Sequence, residues 1–490
     1  MAIVPLFVAV PLAAAFFIPM VSRSFRWFPD FLGNLTSFAL LVMSLSAIGK
    51  SDVYRMGGWP PPIGINLVLD GLSGLMLIVI SLVSLMATLF SVRYMEQYTS
   101  KLRYYSLFLL MVAGMNGVVL SGDMFNIFVF IEIASIASYA LVGFGCEREE
   151  LEASFKYLVL GSVASTLILF GVAVIYGSLG SLNMAHISRL IAAQGMNKAL
   201  YFSLALLVMG FSLKAALVPF HAWLPDAHPS APAPISAMLS GVLIKAIGVY
   251  ALIRIVFNVF GLSPLLSQIL MVLGTFSMII GVVLAIGQWD FKRLLAYHSI
   301  SQIGYVVLSI GMGTPLGILG GLLHLMNHAV FKSLLFLNAG SVEYTTGTRQ
   351  LEEMGGLREK MPVTGGTSLI ASMSIAGVPP FNGFWSKLII ILACVQARHY
   401  GYALCAVVVS LITLASFLKI QKFGFFGELR QRWAEVKEVP ALMCIPMVLL
   451  AILCVGMGLL LLPGPRAEIL HPAVQALTLG TKYASLILGR

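Results

Sequence analysis

Charge is what this sequence has least of: Asp, Glu, Lys and Arg make up 10% of its 490 residues, against about 25% in an average soluble domain. That scarcity excludes a water-soluble globule, although length alone would suggest roughly three soluble domains. The five cysteines, Cys146, Cys394, Cys405, Cys444 and Cys454, lie apart and mostly inside apolar segments. There is no CxxC or Cys/His cluster to hold an iron–sulfur centre, haem or structural zinc. No GxGxxG follows a strand, so a nucleotide site has no support. The net charge of +10 comes without a basic patch, because the 30 Lys and Arg stand singly or in twos and threes between apolar runs. Membrane-flanking anchors are arranged this way, and nucleic acid is not an expected partner. No cofactor and no metal are expected in this chain, and any redox chemistry belongs to a partner.

What is present is apolar length: 59% of residues are hydrophobic, mean hydropathy is +0.96, and runs of eighteen or more apolar residues recur almost end to end. The fold class is an all-α polytopic membrane protein of about 14 transmembrane helices. These are expected near 3–21, 31–48, 66–90, 104–121, 124–144, 154–177, 200–218, 232–259, 266–287, 294–312, 317–340, 364–396, 401–421 and 441–462. Short loops make neighbours antiparallel, and the tail from Pro463 to Arg490 holds one further, modestly apolar stretch that reads as an interfacial helix. Segment 3–21 has no Lys or Arg before Arg23, whereas a secretion signal needs a basic start, so it reads as the first span.

Loop charges give the sidedness. Odd-numbered loops hold 15 cations (Arg23, Arg26, Arg93, Lys101, Arg103, Arg148, Lys292, Arg293, Arg349, Arg358, Lys360, Lys422, Arg430, Arg432 and Lys437). Even loops and the tail hold 8, namely Lys50, Arg55, Arg189, Lys198, Arg398, Arg466, Lys482 and Arg490. The positive-inside rule then puts odd loops in the cytoplasm and both termini outside, in a multi-pass cell-membrane protein.

Two helices are interrupted. The seventh runs into Val218-Pro219-Phe220-His221-Ala222-Trp223-Leu224-Pro225, and the twelfth contains Gly377-Val378-Pro379-Pro380-Phe381-Asn382-Gly383-Phe384-Trp385. Proline removes a backbone donor and clashes with the preceding turn, so each helix must break. In a bilayer that is tolerated only where protein or a water-filled cavity satisfies the freed backbone. Matched breaks five helices apart are the signature of an inverted repeat with its transport site at the breaks. The expected organisation is residues 1–103 for the first three helices, 104–259 for repeat A, 266–421 for repeat B, and 422–490 for the last helix and tail.

An ionisable residue at a helix centre costs several kcal/mol and needs a reason. Glu132, Lys214, Lys245 and Lys387 all sit in apolar helical stretches. One structural salt bridge explains one pair, not three lysines sharing one carboxylate. The eleventh helix adds His324, His328 and Lys332, whose spacing of four stacks them on one face. Two histidines at that spacing can bind zinc, but no HExxH glutamate accompanies them. A packed histidine ladder without a transport role is the other alternative to a polar relay. His221, Asp226 and His228, beside the first break, are either an inlet or a cap on the broken helix. Arg254, Asp123 and the Glu152/Lys156 pair, near expected helix ends, read as interfacial anchors.

These groups suggest a mechanism. Desolvation favours the neutral amine of a buried lysine and a nearby carboxylate favours its ammonium form. An approaching Glu132 therefore stabilises a charged Lys214, and its withdrawal releases the proton towards Lys245. The histidine stripe then carries it on to Lys387. The chain of groups would run along the membrane plane and link half-channels at the two breaks.

At these residues the sequence resembles the antiporter-like subunits shared by respiratory complex I, Mrp-type cation/proton antiporters and energy-converting membrane-bound hydrogenases. The resemblance runs from about residue 66 to 420. Its most specific blocks are Phe220–Ala227, His328–Leu337 and Gly377–Phe384. It implies 14 helices, two inverted five-helix bundles and proton transfer across the subunit. It maps the family's fifth-helix glutamate to Glu132, its seventh- and eighth-helix lysines to Lys214 and Lys245, and its twelfth-helix residue to Lys387. It also implies homologous antiporter-like subunits, small membrane subunits and peripheral redox subunits as partners. Iron–sulfur, nickel–iron or flavin centres are then expected only in those partners. About 28 residues after the last span leave little room for a long lateral helix, which points towards the shorter members, whereas the histidine–lysine block resembles that of the larger ones.

The leading functional expectation is an ion-translocating subunit of a redox-driven complex that moves H⁺, with Na⁺ coupling open. The alternative is a subunit of a redox-independent Mrp-type Na⁺/H⁺ antiporter. A stand-alone solute carrier would need a substrate-sized polar cavity, and a pure scaffold would leave the buried charges dispensable.

Overall fold

The computed structural model describes residues 3–22 and 25–488. Arg23 and Arg490, two of the cations in the loop count, lie outside the described residues. With no water at membrane depth, the apolar runs can satisfy their backbone groups only as helices. The first six are α1 (Ile3–Val21), α2 (Phe28–Ser46), α3 (Gly71–Tyr94), α4 (Lys101–Leu120), α5 (Met124–Val142) and α6 (Arg148–Leu179). A short helix, α7 (Met184–Gln194), precedes α8 (Lys198–Lys214), the first half of the seventh expected span. After the break come α9 (Leu224–Ser230) and α10 (Ala233–Met238). The latter continues as a π-helix over Leu239–Tyr250, one α-helical turn α11 (Ala251–Arg254), and a second π segment to Phe260.

The second half follows as α12 (Pro264–Ile286), α13 (Phe291–Gly311) and α14 (Pro315–Thr346). The expected helix 364–396 is two pieces, α15 (Pro362–Ala376) and α16 (Asn382–Gln396), and α17 (Tyr400–Ile420) and α18 (Ala441–Gly456) close the bundle. The tail forms α19 (Pro463–Pro465), α20 (His471–Thr478) and α21 (Tyr483–Leu488). A two-stranded hairpin pairs β1 (Asp52–Arg55) with β2 (Asn66–Leu69) antiparallel, so the first residues of the helix expected over 66–90 form a strand and the helix itself starts at Gly71.

Twelve helices among the described residues are long and apolar enough to cross a membrane. The seventh and twelfth expected spans are not among them, because both are broken. A count of fourteen holds only if each broken helix is taken as one crossing.

Helix ends follow polar residues at the start of apolar runs. Asp70 and Ser73 form a reciprocal capping box on α3, and Asp290 accepts from the Arg293 amide at 2.9 Å to start α13. Asp123, expected as an interfacial anchor, caps α5 through the Asn126 amide at 2.9 Å. Arg254, also expected as an anchor, is buried instead. Its guanidinium pairs with Asp70 at 2.7 Å, and Tyr483 from the tail donates to the same carboxylate at 2.5 Å. A charge placed at a helix end in sequence is drawn inward by a carboxylate 184 positions away.

Burial is uneven in a way that matters for function. In Ala233–Phe260 and Pro315–Thr346 the whole of the most apolar window is buried, against 33% of it in Phe28–Ser46 and in Ala441–Leu461. The two innermost helices are the ones that carry Lys245 and the His324/His328/Lys332 stripe.

Candidate functional site: a buried line of titratable groups between two breaks

The two interrupted helices end in the same hydrogen-bond pattern. In the first, the Leu217 amide donates to Ser212 O and the Ala216 amide to Leu213 O. In the second, Val378 donates to Met373 O and Gly377 to Ser374 O. Both are the paired six-to-one and five-to-two bonds of a Schellman ending, which needs a left-handed residue. Ala216 (φ 55°) and Gly377 (φ 82°) supply it. The residue after each break's proline, Phe220 or Phe381, then donates back to Leu217 or Val378.

Lys214 is the last residue of α8, and its side chain is 2% exposed. Its Nζ donates to Ser135 Oγ at 3.0 Å and to Tyr139 Oη at 3.4 Å, with Glu132 Oε1 at 4.0 Å. That carboxylate also accepts a hydrogen bond from Ser165 of α6 and is 32% exposed on its side chain. Tyr139 packs edge-on to Tyr157, which stacks on Trp223 with ring centroids 4.2 Å apart. The Trp223 indole donates to Leu213 O at 3.0 Å, which ties the lysine's own turn to that stack.

The middle of the line is wholly buried. Lys245 donates to Ser240 O and Gly241 O, both at 2.6 Å, inside the π-helical stretch. A π register relaxes the ordinary carbonyl ladder and is frequent at functional positions. His324 and His328 lie with ring centroids 6.4 Å apart and 10° between their planes. His324 bonds Ser386 Oγ at 2.9 Å and Gln302 Oε1 at 3.2 Å. Neither nitrogen of His328 has a hydrogen-bond partner among the described residues. His328 is close enough to interact electrostatically with Lys245, Lys332 and Lys387. Lys332 donates to Leu295 O.

Lys387, on α16, donates to Ile375 O at 2.8 Å, to Ala376 O at 3.4 Å and to Ser410 Oγ at 3.2 Å. Its ammonium sits 4.9 Å from the Tyr305 ring centroid. A Cβ on Gly377 would stand 2.9 Å from Lys387 Cδ, so the left-handed glycine also makes room for the lysine stem.

The three residues beside the first break separate. Asp226 lies at the odd-loop surface, paired with Lys156 at 3.1 Å and Arg293 at 3.5 Å, and Lys156 also pairs with Glu152 at 2.8 Å. His221 is half-buried. His228 is fully buried between Trp223 and Phe336 and is within electrostatic reach of Lys332 and Lys245. It joins the central line rather than the rim.

One member of the line had escaped the sequence reading. His298, on α13, is fully buried, has no partner for either ring nitrogen among the described residues, and senses Lys332, Lys387 and Lys419. It follows Lys292 and Arg293 so closely that it reads as a helix-end residue. The signal that finds it is the polar run His298-Ser299-Ile300-Ser301-Gln302 on a helix otherwise apolar.

On the odd-loop face, two polar cavities of about 490 and 330 Å³ meet at Arg349. Arg349 pairs with Asp290 at 2.5 Å, Glu149 at 3.4 Å and Glu343 at 3.7 Å. Burial works against its charge, and Asp290 and Glu343 more than restore it, so its pKa lies above the ordinary value. Behind it, Lys292 and Glu343 form a pair at 2.6 Å. Among the described residues no group of three or more His, Cys, Asp or Glu side chains is placed to hold a metal ion.

Known proteins share this fold over nearly the whole chain. The family described as NADH:quinone oxidoreductase/Mrp antiporter matches residues 121–413, a stretch that holds every residue of the line. This chain belongs to that family. The N-terminal family of complex I chain 5 matches residues 61–105 in addition. NADH-quinone oxidoreductase subunit N of Desulforudis audaxviator is 36% identical over 482 residues, spanning 93% of this chain and 94% of that protein. A chain of the Mrp complex from Dietzia sp. superposes with a TM-score of 0.92 at 31% identity, over 99% of both chains. A chain of an archaeal respiratory complex, the membrane-bound sulfane sulfur reductase, does so with a TM-score of 0.91 at 33% identity, over 100% of both. As a family member, this chain is a multi-pass, antiporter-like membrane subunit, and its relatives are subunits of multisubunit complexes.

Proposed function

We propose that this chain carries protons across the cell membrane as one subunit of a redox-driven assembly, along the line Lys214, Lys245, His328, His324 and Lys387. The observation that carries the proposal is that five titratable groups on four separate helices converge on the protein's most buried zone. Burying so many ionisable groups is too costly to persist as packing alone. Glu132 acts as the control group, its distance from Lys214 deciding which form of the lysine is favoured. Lys332, His228 and His298 extend the line sideways.

The cavity lined by Asp226 forms the inlet on the odd-loop face, the cytoplasmic side by loop charge, with both termini outside, and His221 stands five residues before that aspartate in the chain. Residues 104–259 and 266–421 act as the two inverted halves, and the shared Schellman endings support that division. The half-exposed Glu132 supports a partner subunit packed on α5 and α6, since a carboxylate at the centre of an apolar helix needs polar cover. Redox centres would reside in peripheral partners. The second reading, a subunit of a redox-independent Na⁺/H⁺ antiporter, is favoured by the match to the Dietzia Mrp chain.

The test uses the native assembly reconstituted in vesicles, with internal pH followed first under an imposed Na⁺ gradient and then under the assembly's electron donor. Donor-driven acidification lost in Lys387→Ala establishes the redox-driven pump. A Na⁺-driven pH change without donor establishes the antiporter. Flux of both kinds that survives Lys387→Ala overturns the line itself.

A further inference from the structure

A second cavity region is remote from the titratable line. It measures about 750 Å³ and opens on the even-loop face, where α14 begins, α16 ends and the tail helix α20 crosses beside them. Its walls are chiefly apolar, with Leu316 and Leu319 on one side and Ala393 and Val474 on the other. Two cation-capable side chains, Arg466 and His471, lie at its rim, and none of its lining residues is acidic. Neither side chain makes an ion pair or hydrogen bond to any described residue. The tail's own carboxylate, Glu468, lines a separate small cavity on the other side beside Asp70. Glu468 thus lines one cavity, and Arg466 with His471 the other.

α20 is held in place from beneath. Ala473, Ala476 and Leu477 are buried, while the Asn258 amide donates to Ala476 O at 2.7 Å. This fixes His471, Gln475 and Thr478 towards the cavity. Its depth is that of the membrane surface, because it spans the first turn of one transmembrane helix and the last turn of another. Next to it, Leu392, Val395, Leu459 and Leu462 are exposed along the bundle wall.

We propose that this cavity binds an anionic phospholipid of the outer leaflet. The phosphate pairs with the Arg466 guanidinium and the His471 imidazole, and the upper acyl chains lie along Leu316, Leu319 and Ala393. Charge complementarity argues for this occupant, since an apolar cleft at a bilayer surface with an unpaired guanidinium at its rim matches a lipid that is anionic at one end and hydrocarbon at the other. The bound lipid would wedge the tail against α14 and α16. The inference is independent of the proton line.

The test is to hold the purified assembly in nanodiscs containing equal phosphatidylglycerol and phosphatidylcholine, exchange it into detergent, and count retained lipids by mass spectrometry. Wild type should retain phosphatidylglycerol in preference to phosphatidylcholine. Arg466→Ala combined with His471→Gln should retain about tenfold less of it, the scale of losing one or two charge-assisted bonds. Ala397→Phe, which fills the cavity and leaves both rim side chains intact, should displace the lipid too. Equal retention of both lipids by wild type, or unchanged retention in both variants, overturns the proposal. So does a photo-crosslinker at Gln475 that captures a protein partner in place of lipid. Assembly of each variant is checked by size exclusion, and the filling variant keeps the test decisive if the double variant fails to assemble.

Discussion

The two breaks share a backbone and differ in what surrounds their lysines. Both helices end with the same pair of backward hydrogen bonds and a left-handed residue. At the first, Lys214 has a carboxylate 4.0 Å away and two hydroxyls within reach. At the second, Lys387 has carbonyls, one hydroxyl and an aromatic face, and no carboxylate among its contacts. Duplicated geometry with unequal charge makes one end adjustable and the other fixed. Moving Glu132 would change the electrostatic environment of Lys214 directly, whereas Lys387 is held by backbone carbonyls, a hydroxyl and a ring. A line with a controllable end and a passive end can give transport a direction.

The largest effect should come from removing that inequality. Glu132→Gln keeps the volume and abolishes the charge, so the first break comes to resemble the second. Proton flux in reconstituted vesicles is expected to fall by about tenfold or more, with assembly intact, since one pKa unit of lost charge stabilisation is about 1.4 kcal/mol. The converse change is Ser410→Asp, which places a carboxylate where a hydroxyl now lies 3.2 Å from Lys387. It should pin that lysine in its charged form and slow flux several-fold. Full activity in both variants would show that the charge difference between the breaks has no role.

A smaller effect tests the shared backbone. Gly377→Ala forces a Cβ into a left-handed residue and to within 2.9 Å of Lys387 Cδ. It should destabilise by about 1–2 kcal/mol and lower flux by displacing the lysine. Ala216→Gly occupies the same position of the first break and removes that strain. Because the unfolded chain gains freedom, its net effect should lie between about zero and 1 kcal/mol of stabilisation. Thermal unfolding of the two purified variants gives the comparison, and shifts of the same sign would mean that the endings are not equivalent.

The breaks were legible because proline, phenylalanine and tryptophan recur in order, and the charged line was legible because lysine and glutamate are rare inside apolar runs. His324, His328 and Lys332 were readable from spacing, and the structure buries all three. What stayed hidden depends on contacts distant in sequence. Arg254 reads as an anchor until Asp70 and Tyr483, far away in the chain, surround it. His298 reads as a helix-end residue because hydropathy cannot show that α13 is almost entirely enclosed. The π-helical stretch around Lys245 leaves no distinctive mark in composition, since its mix of glycine, small and branched apolar residues is common in membrane helices. The hairpin of β1 and β2 is short, its second strand reads as the start of the apolar run that follows, and pairing across a ten-residue connection has no local signature.

The smallest effect separates the breaks by their tryptophans, which the sequence presents as equivalent. Trp223 is buried, stacks on Tyr157 and donates to Leu213 O at 3.0 Å. Trp385 is 38% exposed and donates to Pro380 O at 3.3 Å. Trp223→Phe removes one buried hydrogen bond and leaves a partly filled gap, a loss of roughly 1–2 kcal/mol. Leu213 O keeps the Ala216 amide as a donor, so the carbonyl is not orphaned and the loss stays in that range. Trp385→Phe should stay within about 0.5 kcal/mol, as a substitution on an exposed face does. Thermal unfolding should therefore rank the two substitutions in that order. The reverse order would mean that a partner-independent role for Trp385 has been missed, and that the second break is the more tightly built of the two.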